Sequence, residues 1–262
     1  MDIQRIIRSN ADSWDAIAPD RHGAPPEFYR EGGTALEPIE IELAGDVHGK
    51  QILQLACSTG DEVISWTLRG AVAHGIDISP VHIAKAQAKA DAVGVICDLR
   101  VGDMFDLPAD LTALDLIYIS WGGICWAPDI ELWARIVADA LAPGGAVLIS
   151  EHHPLWEVLS VKGENALAVR EDYFQSGAVA STRDPAKAPV GGRGSDAPPL
   201  QPFVWSLGAV VTALLNAGLR IDALQEMPEP ESYAGLGPAA AAIPAGYHIK
   251  ATKPAGSANL GS

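Results

Sequence analysis

The sequence predicts a doubly wound α/β domain with a mostly parallel sheet, and three observations predict it. Between residues 52 and 150, short apolar runs recur at Ile52–Ala56, Ala71–Ile76, Val95–Val101, Leu114–Ile119 and Ala146–Ile149, each bounded by Gly, Asp, Ser or Pro. Several runs are apolar almost throughout rather than alternating, as strands covered on both faces are. The stretches between them carry helix signals, and strands that alternate with helices imply crossover connections.

The elements follow in chain order. Residues 2–17, with Ile3, Ile6, Ile7, Trp14 and Ile17, and residues 36–44 read as helices, separated by a loop at Pro19–Gly33 that holds His22, Phe28, Tyr29 and Arg30. Ser79-Pro80 supplies a capping hydroxyl and a first-turn proline, and an Ala-rich run to Ala90 follows. Asp129 opens a helix with an apolar stripe of Ile130, Trp133, Ile136, Val137, Ala140 and Leu141, and Pro143-Gly144-Gly145 stops it. Ala168–Gln175 reads as a strand. Asp184–Pro202 holds five prolines and three glycines, which marks a long irregular loop. Ser206–Ala217 reads as a helix ended by Gly218, and Leu219–Met227 and Tyr247–Thr252 as two more strands. The expected organisation is an N-terminal helical lid at 1–35, one sheet domain at 36–253, and a disordered tail at 254–262.

Composition narrows the function classes. The chain has 262 residues, 48% hydrophobic, with 18 Lys and Arg against 33 Asp and Glu, a net charge of −15. That charge repels a phosphate backbone and an anionic bilayer, so neither nucleic acid nor membrane is expected as a partner. Cys57, Cys97 and Cys125 are too few and scattered for a disulfide framework or a zinc site, and no metal is expected. No signal peptide or membrane-length apolar run is present, so the expectation is a cytoplasmic protein. Oligomeric state is not legible.

Three motifs carry the chemistry. In Gln51–Asp61 an apolar strand runs into the small-residue turn Ala56-Cys57-Ser58-Thr59-Gly60, where a ligand can approach backbone closely at a helix start. In His74–Ser79, Asp77 ends the second strand, where a carboxylate in a βαβ unit can accept both hydroxyls of a ribose. After the third strand, Asp103 can receive an amino group while Met104 covers a flat base. All three meet at the carboxyl edge of one sheet, the binding crevice of an open α/β fold.

This order resembles the class I S-adenosylmethionine (SAM)-dependent methyltransferases. The Leu141-Ala-Pro-Gly-Gly145 turn before the fifth strand and the closing helix–strand–strand unit from Ser206 to Thr252 are similar to that family's. The resemblance covers roughly residues 36–253 and implies a seven-stranded, Rossmann-like methyltransferase sheet with a reversed last strand. It implies SAM as cofactor, S-adenosylhomocysteine as product, and a cofactor site at Ala56, Cys57, Ser58, Gly60, Asp77, Ile78, Asp103, Met104 and Ser120. By similarity to relatives with an N-terminal lid, Trp14 or Tyr29 approaches the methionine carboxylate. One departure stands out. The family's Gly-x-Gly-x-Gly is here Ala56-Cys57-Ser58-Thr59-Gly60, in which small size is kept at two of the glycine positions.

The acceptor side is read from residues that follow strands four and five. Methyl transfer is an in-line displacement, helped where needed by a general base. Glu151, His152 and His153 lie at the end of the fifth strand, and an imidazole suits proton removal near neutrality. Neighbours on a strand point in opposite directions, so one of the two histidines faces the site. Trp121, Cys125 and Trp126 should wall a flat, apolar acceptor, with Tyr173 and Trp205 as lid candidates. The expected function is methyl transfer to a small organic acceptor, aromatic or natural-product-like, at a carbon, nitrogen or oxygen atom. The rival readings are an NAD(P)-dependent oxidoreductase, which the missing Gly-x-Gly-x-x-Gly weakens, and a binding protein that keeps this sheet without catalysis.

Overall fold

A computed structural model describes residues 3–163, 166–174 and 200–256. In chain order, α1 (Ile3–Ile17), α2 (Pro26–Arg30) and α3 (Pro38–Ala44) precede β1 (Gln51–Leu55), α4 (Asp61–Leu68), β2 (Val72–Asp77), α5 (Pro80–Val93), β3 (Asp98–Val101) and β4 (Leu114–Ile119). Then come α6 (Ile130–Ala140), β5 (Leu141–His152), α7 (Pro154–Val158), β6 (Leu159–Val161), β7 (Leu167–Val169), α8 (Leu207–Asn216), β8 (Arg220–Met227) and β9 (Gly246–Thr252). Seven strands form one sheet in the order β3-β2-β1-β4-β5-β9-β8, and β6 with β7 forms a separate hairpin. β1 to β5 pair in parallel, and β9 runs antiparallel to both neighbours. The predicted seven-stranded, doubly wound sheet is therefore present, reversed last strand included.

The continuous apolar runs have a direct cause. On β1, Ile52 faces one side and Leu53 and Leu55 the other. On β4, Leu116 and Tyr118 share the side of Ile52, while Ile117 and Ile119 share that of Leu53. One face packs on α6 and α8 through Trp133, Val137, Val210 and Leu214. The other packs on α4 and α5 through Val63, Ile64, Trp66, Ile83 and Ala90. Both faces are dry, so neither set of positions is free to be polar. The helices open as their sequences dictate: Ser79 Oγ caps α5, Asp129 caps α6 and Ser206 caps α8.

Three predicted boundaries change. Pro143-Gly144-Gly145 does not separate helix from strand; it lies inside β5, which begins at Leu141, and makes an irregularity opposite Leu114 and Leu116. A Cβ on Gly145 would stand 2.5 Å from the Leu114 carbonyl oxygen, so only glycine lets the two strands meet there. The strand expected at Ala168–Gln175 is the shorter β7, which pairs antiparallel with β6 outside the main sheet. Pro19–Gly33, read as a loop, contains α2. Most of the predicted Pro/Gly loop, residues 184–199, and the tail from residue 257 lie outside the described residues. Among the described residues, no helix is long and apolar enough to cross a membrane.

Candidate active site

Strand order reverses between β1 and β4, and a cavity of about 360 Å³ opens at the carboxyl ends of the strands there. This is the crevice that open α/β sheets use for ligands, at a volume typical of small-molecule sites. Predicted residues Ala56, Cys57, Ser58, Asp77, Ile78, Asp103, Met104, Ser120, Trp121, Cys125, Trp126, His152 and Trp14 line it together.

The β1–α4 turn bends as the glycine-rich version would. Ala56 and Ser58 hold left-handed φ values of 52° and 48°, and Gly60 holds 76°. The missing glycines are thus absent in sequence but not in backbone shape, at the strain that left-handed non-glycine residues carry. Gly60 itself does not line the cavity. It lies against α5, where a Cβ would stand 2.8 Å from the Ala86 Cβ.

Asp77 is buried at the end of β2. Its Oδ2 accepts from the Ser58 N–H at 2.8 Å, and its Oδ1 accepts from the Ser79 N–H at 2.9 Å and from His82 Nδ1 at 3.2 Å. A carboxylate offers about four lone-pair sites. Three are taken, so Asp77 retains one for a ligand rather than the two a ribose diol would need. Asp103 lines the wall after β3, accepts from the Phe105 N–H at 2.9 Å, and has its pKa raised by burial.

A polar group that no sequence motif marks also lines the cavity. Gln54 Nε2 donates to Glu62 Oε2 at 3.2 Å, and Ser120 Oγ donates to Glu62 Oε1 at 3.2 Å. Burial raises the Glu62 carboxyl pKa. Arg21 lines the same cavity with its guanidinium over the Trp14 ring, 5.5 Å from the centroid. Burial lowers its pKa, opposed by the field of Asp77, Glu62 and Asp61. Among the described residues, its guanidinium has no ion pair or hydrogen bond. The cavity therefore offers an acidic group and an unpaired cation at one end, the complement of an amino acid's α-ammonium and α-carboxylate. Neither residue lies in a recognisable motif; Glu62 follows the helix-start aspartate by one position, and Arg21 sits in the loop before α2.

Tyr29 does not reach this cavity. Its hydroxyl donates to Asp61 Oδ1 at 2.5 Å, and Lys89 Nζ lies 2.8 Å from both Asp61 oxygens. The Ala24 N–H and Thr59 Oγ1 also bond Asp61. This buried cluster ties the segment that carries Arg21 to the starts of α4 and the flank of α5. Trp14 does reach the cavity, edge-on to Trp126 at 5.1 Å and 5.7 Å from the His82 ring.

On the opposite side, His152 is the histidine that faces the cavity. Its ring stacks on Trp156 at 4.6 Å and lies 5.3 Å from Trp121. Trp156, from α7, also lines the cavity and was not anticipated. His153 points away. Its Nδ1 accepts from the Leu155 N–H, capping α7, and its Nε2 bonds Glu226 at 2.9 Å. Glu151 is buried and likewise turned from the cavity. It accepts from the N–H groups of Gly122, Ile124 and His152 at 2.5, 2.8 and 2.7 Å, and burial pushes its pKa up to about 7. It therefore holds the loop that carries Trp121 rather than touching a substrate. Trp205 donates to the Ala127 carbonyl and stacks on Phe203, and the Tyr173 hydroxyl accepts from the Leu207 N–H; neither lines the cavity. Among the described residues no cluster of His, Cys, Asp or Glu is placed to hold a metal ion.

Comparison with known proteins agrees with this sheet architecture. Residues 52–145 match the family model described as a methyltransferase domain. Among curated relatives, a ubiquinone biosynthesis O-methyltransferase of Chromobacterium violaceum is 29% identical over 110 residues, 42% of this chain and 47% of that protein. An uncharacterized protein of Mycobacterium tuberculosis is 28% identical over 112 residues, 43% of this chain and 40% of its own length. The chain thus spans less than half the length of these curated relatives. Among solved structures, an S-adenosylmethionine-dependent methyltransferase of Mesorhizobium loti superposes with a TM-score of 0.62 at 20% identity, covering 82% of this chain and 96% of that one.

Proposed function

We propose that this chain, a class I S-adenosylmethionine-dependent methyltransferase by its domain model and its sheet, transfers a methyl group to a small organic acceptor. The observation that carries the reading is the set of complementary groups lining one cavity: the Asp77 carboxylate at the end of β2, Glu62, and Arg21, whose guanidinium has no ion pair among the described residues. SAM, when bound, supplies an electrophilic methyl carbon on a positively charged sulfur.

The chain's own residues divide the work. Asp77, Asp103 and Met104 would hold the nucleoside, and the bent Ala56–Gly60 turn would let its backbone approach the ligand. Glu62 would take the α-ammonium, steadied by Gln54 and Ser120, and Arg21 the α-carboxylate. Trp14, on a lid formed by residues 1–35, excludes water from this end. On the other side Trp121 and Trp156, with Cys125 and with Trp126 where that wall meets Trp14, receive a flat, apolar acceptor, which supports an aromatic or natural-product-like molecule. His152, between two indoles at the end of β5, accepts the acceptor's proton where the nucleophile has one to lose. The acidic surface supports a small molecule over nucleic acid as substrate.

Asp77→Ala should weaken S-adenosylhomocysteine binding about a hundredfold, since a buried charge-assisted contact is lost. An affinity within a factor of two of the parent contradicts the nucleoside assignment. His152→Ala should slow turnover of a proton-losing acceptor about a hundredfold while cofactor affinity holds within a factor of two. Unchanged turnover places proton removal elsewhere.

A further inference from the structure

Asp77 alone does not account for recognition of a ribose. Both of its oxygens are engaged by Ser58, Ser79 and His82, which leaves one lone-pair site on Oδ2. A vicinal diol presents two hydroxyl donors. A second acceptor is required beside the first, or one hydroxyl enters the wall unpaired.

His82 supplies the missing feature. It sits in the first turn of α5, its ring is 1% exposed, and it forms part of the cavity wall next to Asp77. The Nδ1 contact to an acceptor-only carboxylate fixes the tautomer of the neutral ring. Nδ1 carries the hydrogen, and Nε2 is left as an acceptor. Among the described residues, Nε2 is buried with no hydrogen-bond partner. Buried polar atoms are rarely left unpaired, and one on a residue of the cavity wall is a natural acceptor for a bound ligand. The ring lies 5.7 Å from that of Trp14, whose helix lines the same cavity.

We infer that His82 Nε2 accepts one hydroxyl of the ribose while Asp77 Oδ2 accepts the other, so that the two side chains read the diol as a pair. The inference rests on the methyltransferase reading for the identity of the nucleoside. It goes beyond that reading in assigning the second acceptor to a residue on the helix rather than to the strand-end carboxylate. His82 is then a binding residue that contacts cofactor, and its hydrogen bond to Asp77 sets the spacing of the two acceptors.

The test is calorimetric titration of the full chain with S-adenosylhomocysteine and its 2′-deoxy and 3′-deoxy analogues, for the parent, His82→Met and His82→Gln. In the parent, each deoxy analogue should bind roughly tenfold more weakly, because removal of either hydroxyl leaves a buried acceptor unpaired. In His82→Met one of the two losses should shrink to less than twofold while the other persists, and His82→Gln, which restores a polar atom near the Nε2 position, should recover part of it. A His82 that only packs would lower affinity for all three ligands equally and leave both losses intact, and that result overturns the inference. So does a parent that ignores one of the two hydroxyls, a comparison that needs no variant to fold. Failure of the parent to bind S-adenosylhomocysteine at all would overturn the underlying methyltransferase reading, and is thus distinct from failure of the His82 assignment.

Discussion

The two sides of the cavity are built on different physics. Towards β1, β2 and the N-terminal segment, directional polar groups dominate: Asp77 with its three donors, the Gln54–Glu62–Ser120 set, and Arg21 held in place by the Asp61–Lys89–Tyr29 cluster. Towards β4, β5 and α7, rings dominate: Trp121 tilted against His152, and His152 stacked on Trp156, with Glu151 holding the supporting loop from behind. Hydrogen bonds at fixed positions select one ligand and reject near relatives. Apolar walls select by shape and tolerate a class. Under the proposed function, the contrast predicts a site that is strict about its cofactor and permissive about its acceptor.

The strongest way to break the polar side is to remove the cation from its buried cluster. Lys89→Met leaves Asp61 buried with only neutral donors, and should cost about 3–5 kcal/mol of stability, read by denaturant unfolding. Cofactor affinity should fall with it, because the segment carrying Arg21 loses its anchor. A loss below about 1 kcal/mol would mean that the cluster is solvated and does not fix that segment.

The ring side responds to pH through Glu151. Its carboxyl is held up to about 7 by burial, against an unfolded value of about 4.3. Between those values the folded chain keeps a proton that the unfolded chain has released. Stability from this group is therefore full below about pH 4.3 and is lost as pH rises through about 7, by about 4 kcal/mol in all. The parent should lose stability relative to Glu151→Gln as pH rises from 5 to 7.5. Parallel stability curves for the two proteins would show that Glu151 is ionised throughout.

Smaller effects separate the sides. Trp156→Leu should raise the KM for an aromatic acceptor about tenfold and leave S-adenosylhomocysteine affinity within a factor of two. Equal loss of both would erase the distinction. Ala56→Gly relaxes a left-handed residue but frees the unfolded chain, so stability should change by less than about 1 kcal/mol, with cofactor affinity unchanged or slightly higher. A larger loss would show that the Ala56 methyl packs against something the turn requires.

The same contrast governs what was legible in the sequence. The polar side is written partly in short local motifs. Asp77 and Asp103 follow strands whose apolar runs mark them, so the sheet edge and its acidic residues could be placed from spacing alone. Arg21, Glu62 and His82 could not, since a single polar residue in a loop or a helix turn carries no period. His82 had one signal, in that a histidine in the first turn after a capping serine shares the strand-end aspartate's neighbourhood. On the ring side, alternation along β5 required that one of His152 and His153 face inward. Which one depended on the register with β9 and on the cap of α7. Trp156 was invisible because α7 is five residues long and has no readable stripe. Tyr29, Glu151, Tyr173 and Trp205 do not line the cavity for a common reason: each has a hydrogen-bonding end that a neighbouring element satisfies.

The most direct test of the account is titration of the purified chain with S-adenosylhomocysteine and, separately, with NADH. The account predicts saturable one-to-one binding of S-adenosylhomocysteine, abolished or greatly weakened by Asp77→Ala, and no binding of NADH. Binding of NADH without S-adenosylhomocysteine would contradict it.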